Sequence, residues 1–109
     1  EKRRALSSFF VNLMKLNIIE QESIIKIIKN LQSLLLAEMK NEDKKELCEE
    51  ISETIYVLVI EGSEILDEHD DWEELHNCIK QVSEMNNDDH PSLSNKVIFK
   101  HLDVLDELV

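Results

Sequence analysis

Glycine and proline occur once each in 109 residues, as Gly62 and Pro91. Tight hairpins and strand-ending turns draw on those residue types, whereas helices are interrupted by them, so their scarcity points away from sheets. Apolar residues make up 42% of the chain. Isoleucine and leucine lead among them, and they recur at steps of three and four, the period of a helix face. The fold class read from this pattern is all-α.

The spacing predicts five helices. Leu6, Phe9, Phe10, Leu13 and Met14 define a first, over roughly 2–16. Ile24, Ile25, Ile27, Ile28, Leu31, Leu34 and Leu35 spread around more than half of a second, over about 20–39, as on a helix sandwiched between neighbours. Asn41 or Asp43 can cap a third, carrying Leu47, Ile51, Ile55 and Leu58 and ending at Gly62. Its β-branched tail, Ile55 to Ile60, resembles a strand, but a lone strand leaves its backbone groups unpaired, so it reads as helix. The run Asp70-Asp71-Trp72-Glu73 has the form of a capping box opening a fourth, with Trp72, Leu75, Ile79 and Val82 inward. Asn86 to Asp89 is a turn, and Pro91 fits the first turn of a fifth, with Val97, Ile98, Leu102, Leu105 and Leu108 inward. Short connections make successive helices antiparallel neighbours, with the first and second, and the third and fourth, as hairpin units. A bundle and a stack of hairpins both satisfy this pattern. The length suits one domain spanning 1–109.

Twelve Lys plus Arg against 24 Asp plus Glu leave a formal charge of −12, which repels phosphate backbones over most of the surface. The one dense basic run, Lys2-Arg3-Arg4, reads as a solvated helix end. Cys48 and Cys78 lack CxxC spacing and sit in helical patterns, which fits a reducing intracellular compartment. The richest apolar stretch, Ile24 to Leu36, is broken by Lys26, Lys29, Asn30, Gln32 and Ser33, so no membrane span is expected. The first residues show no secretory leader, and a start at Glu1 suggests a domain cut from a longer chain.

Motifs for chemistry are weak. Asp67-Glu68-His69-Asp70 matches the acidic tetrapeptide of ATP-driven helicases in letters, yet the glycine-rich phosphate loop it needs is missing. Extended to Asp71, the run could attract a divalent cation, but it lacks calcium-loop spacing, so adventitious cation binding is its limit. His76 and Cys78 are two apart and point in different directions on a helix, with no second pair for zinc. Both cysteines sit among acidic or apolar neighbours, which suits packing better than nucleophilic catalysis. His101 falls on an apolar side near Ile98 and Leu105, as a boundary residue, and Trp72 reads as a core anchor. No catalytic residue, metal or cofactor is expected.

Two stretches carry a family resemblance. Residues 2–19, KRRALSSFFVNLMKLNII, are similar to a helix and turn in the middle domain of the eukaryotic translation-initiation scaffold factor four-gamma. Residues 94–106, SNKVIFKHLDVLD, resemble that domain's closing helix, with serine and a basic residue at its start, Phe99 five positions after Ser94, and Asp-Val-Leu-Asp at its end. Leu47-Cys48 matches a third position. The likeness would correspond to the carboxy-terminal half of that middle domain. It implies antiparallel hairpins stacked as a short HEAT-type solenoid of about five helices, no catalysis, cytoplasmic residence and a surface that binds a DEAD-box RNA helicase. Asn95, Lys96, Asp103 and Asp106 are the contacts it implies. Ile98 replaces a basic residue usual in the family, and Glu107-Leu108 stand in place of Leu-Arg, so RNA contact by this half is expected to be weak or absent.

The expected function is therefore a translation-initiation scaffold that docks a helicase. Related middle domains in messenger-RNA decay and splicing scaffolds offer the alternative within the same class. The rivals are a domain that forms a homodimer through the open solenoid end, and a small metal protein or enzyme built on the His and Asp run.

Overall fold

A computed structural model describes residues 20–85, 88 and 90–108, and those residues form four α-helices and no strand. They are α1 (Gln21–Glu38), α2 (Lys45–Leu66), α3 (Trp72–Ser83) and α4 (Asn95–Leu108). The first predicted helix, with Leu6 to Met14, lies outside the described residues, as does most of the turn at 86–89.

α1 packs on α2, α3 on α4, α2 on α4 and, less extensively, α1 on α3. The direction of each pairing follows from cross-links between side chains and backbone. Glu22 at the start of α1 meets His69 just past the end of α2, so those two helices are antiparallel. Lys29 meets Asp71 and Gln32 meets Leu75, so α1 and α3 run the same way. Glu49 with Ser94, and Glu53 with Lys100, show that α2 and α4 also run together. The result is two helical hairpins, α1/α2 and α3/α4, laid side by side in the same orientation. The expected pairing of the third and fourth predicted helices is overturned: α2 and α3 follow each other in sequence but lie diagonally, because the apolar face of α2 is spent on α1 and α4.

A single core joins all four helices. Ile24, Ile25, Ile28 and Leu35 from α1 meet Ile51, Ile55, Leu58 and Val59 from α2, and Leu75, Ile79, Val82, Val97 and Val104 close it from the second hairpin. Each full burial of an aliphatic side chain contributes about 1.5–3 kcal/mol, which is what holds helices of this length together in water.

Several helix ends differ from expectation. α2 does not stop at Gly62 but continues to Leu66, with Gly62 buried in helical conformation. The glycine penalty of about 1 kcal/mol is outweighed by burial of Val59 and Leu66 on either side. Neither Asn41 nor Asp43 caps α2 with its side chain; Asp43 adopts φ 61°, and the amide of Lys44 is taken by the hydroxyl of Ser92 at 2.9 Å. No capping box forms at α3: the cap position falls on Asp71 and not on Asp70, and the Asp71 carboxylate is drawn to Lys29 at 2.7 Å. Pro91 sits in the turn before α4 instead of in its first helical turn, and Ser94 precedes the helix. On α4, Leu102 is exposed where an inward position was expected, and the buried residues are Val97, His101 and Val104.

Candidate functional site

α2 and α4 lie parallel, and their outer edges enclose an open groove of about 550 Å³ lined by Glu46, Glu49, Glu50, Glu53, Lys96, Phe99, Lys100 and Asp103. The four glutamates fall at steps of three, one and three along one edge of α2. From α4, Lys96, Phe99, Lys100 and Asp103 face them at the same helical spacing. Phe99 is 59% exposed, the most open of the large apolar side chains among the described residues.

Internal bonds hold part of this groove in place. Ser94 donates its hydroxyl to Glu49 at 2.7 Å. Lys100 pairs with Glu53 at 3.0 Å while its ammonium sits 4.4 Å from the centre of the Tyr56 ring, and the Tyr56 hydroxyl donates to Glu107 at 2.7 Å. A salt bridge at an exposed rim contributes little alone, but this chain of contacts orders both helix edges.

The structure brings Lys96 and Asp103 together in the groove. Asn95 and Asp106 are also exposed on α4 but lie beyond the lining, one at each end of the same stripe. Phe99 enters the sequence reading only as a mark of the family resemblance and not as a contact, and the α2 glutamates do not enter it. Exposure of Phe99 could not be inferred from an apolar residue on an amphipathic helix, and the glutamates gain meaning only from the parallel placement of α2.

A second cluster gathers Glu22, His69 and Asp71, whose donor atoms lie within 4.8 Å of one another. Only His69 and Asp71 belong to the acidic run singled out from the sequence; Asp67, Glu68 and Asp70 point to solvent. The Asp71 amide donates to His69 Nδ1 at 3.0 Å, which leaves Nε2 to carry the proton donated to Glu22 at 2.7 Å. Lys29 holds the Asp71 carboxylate, lowering its pKa by the hydrogen bond first and by charge second, while the Lys29 ammonium is raised in turn. Every donor is thus committed to tying α1 to the loop before α3. A cation would have to displace the Lys29 ammonium and strip the Nε2 proton, so the arrangement is that of a clamp between helices.

His76 and Cys78 open onto different grooves, His76 beside Trp72, Glu107 and Leu108 and Cys78 beside Lys29, Gln32 and Leu36. Burial, then nearby carboxylates, pushes both thiols above their ordinary pKa, which keeps them protonated and poorly nucleophilic near neutral pH. Trp72 is half-buried and packs against the core.

His101 is a core residue, 2% exposed, and not the boundary residue expected from sequence. Its Nδ1–H donates to the Val97 carbonyl at 2.8 Å. Burial holds the imidazole below its ordinary value despite that bond. The unfolded chain therefore takes up a proton below about pH 6.5 that the folded chain refuses, and stability present above that value is lost as pH falls through it. Thermal melts between pH 7 and pH 5 are expected to show a falling melting temperature, with a shallower fall in His101→Gln. An equal slope in both proteins would contradict the assignment.

No protein-family model, curated protein or solved structure matches this chain. No helix among the described residues is long and apolar enough to cross a membrane.

Proposed function

We propose that this chain is a non-catalytic interaction module that docks a partner protein on the outer face of α4. The observation that carries this reading is the separation of roles on that helix. Val97, His101 and Val104 are given to the core, while Asn95, Lys96, Phe99, Asp103 and Asp106 form an exposed stripe. Two hairpins in like orientation are compatible with a short HEAT-type solenoid, in which stacked hairpins present helix edges to a partner. The likeness of residues 94–106 to the closing helix of the initiation-factor-four-gamma middle domain names the partner class as a DEAD-box RNA helicase, and the setting as cytoplasmic translation initiation. Scaffolds of messenger-RNA decay or splicing are the alternative setting for the same docking role. The −12 charge supports protein in preference to RNA as the ligand.

Titration calorimetry against a translation-type DEAD-box helicase tests this. Saturable binding is expected, weakened by Asp103→Lys and Asp106→Lys and by added salt. No heat at low salt, with the variants folded normally, would count against docking through α4.

One observation favours a second reading. Ile27 and Leu34 on α1 are 39% and 43% exposed, and an apolar strip of this kind supports self-association. Sedimentation over a range of concentrations separates the two, since a strict monomer rules out pairing through α1.

A further inference from the structure

Phe99 projects from α4 into the groove beside α2, where its ring adds nothing to the core and remains open to solvent. Aromatic side chains in such positions are the usual anchors of protein contacts, because they bury a large area at small cost in conformational freedom. Leu102, 40% exposed, is three residues further along the same helix. Around this apolar centre the groove is charged unevenly. Its lining holds five carboxylates, Glu46, Glu49, Glu50, Glu53 and Asp103, against two ammonium groups, Lys96 and Lys100, a balance of 2 − 5 = −3. Lys100 is engaged by Glu53 and the Tyr56 ring.

Resting on the docking role proposed above, we infer that this groove takes a basic amphipathic segment of the partner protein, with an apolar side chain on Phe99 and its cations along Glu46, Glu50 and Asp103. A second copy of this chain is a poor occupant, because it would bring its own carboxylates to the same ledge. Nucleic acid is excluded by the same charge. The excess of carboxylates steers a cationic segment to the groove, and the apolar contact at Phe99 slows its departure.

The probe is a synthetic lysine-and-leucine amphipathic helix carrying a fluorophore, titrated by anisotropy into the full chain. Its counterpart with glutamate in place of lysine is the control. Saturable binding of the basic peptide alone is expected. Phe99→Ala should weaken it about tenfold, the effect of removing one anchor. The pair Glu46→Lys and Glu50→Lys should weaken it further, with melting temperatures near that of the parent. Reversal of the remote pair Asp67 and Glu68 to lysine should leave affinity unchanged. Equal loss on remote reversal would overturn the inference by showing nonspecific attraction to an acidic surface, and so would indifference to Phe99→Ala. A helicase that binds with affinity unaffected by Phe99→Ala would overturn this inference while leaving the docking role standing.

Discussion

Ile55→Ala is expected to lower stability by about 3 kcal/mol, within the range of about 2–5 kcal/mol for deleting buried isoleucine or leucine atoms. Ile55 is fully buried near the middle of α2, the helix that contacts both α1 and α4. Truncation leaves a cavity that those two helices cannot both move to fill, because each is tied to α2 or α3 at other points. A domain of this size has about 5–15 kcal/mol in all. The loss should move the melting temperature down by roughly 12–24 °C, at about 4–8 °C per kcal/mol. Leu102→Ala, on an exposed position of α4, should change stability by no more than about 0.5 kcal/mol. A calorimetric scan showing similar small shifts for both variants would contradict the placement of the core.

Ser92→Ala is expected to cost about 2 kcal/mol although it removes a single oxygen. Ser92 is fully buried between the loops that join α1 to α2 and α3 to α4. Its amide donates to the Met39 carbonyl at 3.0 Å, its hydroxyl accepts from the Lys44 amide at 2.9 Å, and that hydroxyl donates to the Asn41 carbonyl. The serine thus closes the end of α1 and the start of α2 at once, from a distant part of the chain. Removing the oxygen takes that partner from a part-buried donor and a part-buried acceptor, which puts the cost of each at the low end of about 1–3 kcal/mol. The variant should also exchange its Lys44 amide hydrogen faster than the parent. An unchanged melting temperature together with unchanged exchange at Lys44 would show that the two loops are held by other means.

The four described helices were legible because their apolar residues recur at steps of three and four, and that signal survives any detail of packing. Helix ends were not legible to the same degree. Asn41, Asp43 and Asp70-Asp71 all have the chemistry of caps, yet Ser92 reaches the start of α2 from elsewhere and Lys29 draws Asp71 away. Such long-range competitors leave no local mark in sequence. Gly62 misled for a related reason, since burial of its neighbours carried the helix through a residue that usually ends one.

The pairing of helices was least legible, because periodicity says which residues turn inward but not which helix they meet. The site shares that division. Exposure of Asn95, Lys96, Asp103 and Asp106 agrees with their polar spacing on α4. The groove itself depends on α2 lying parallel to α4, so Glu46 to Glu53 and the open ring of Phe99 could emerge only from the assembled fold.

The most direct test of docking on this face is amide chemical-shift mapping of the isotopically labelled chain as a DEAD-box helicase is added. The account predicts the largest changes at Glu46, Glu50, Lys96, Phe99 and Asp103, along the facing edges of α2 and α4. Changes confined to α1 around Ile27 and Leu34, or none at saturating helicase, would contradict it.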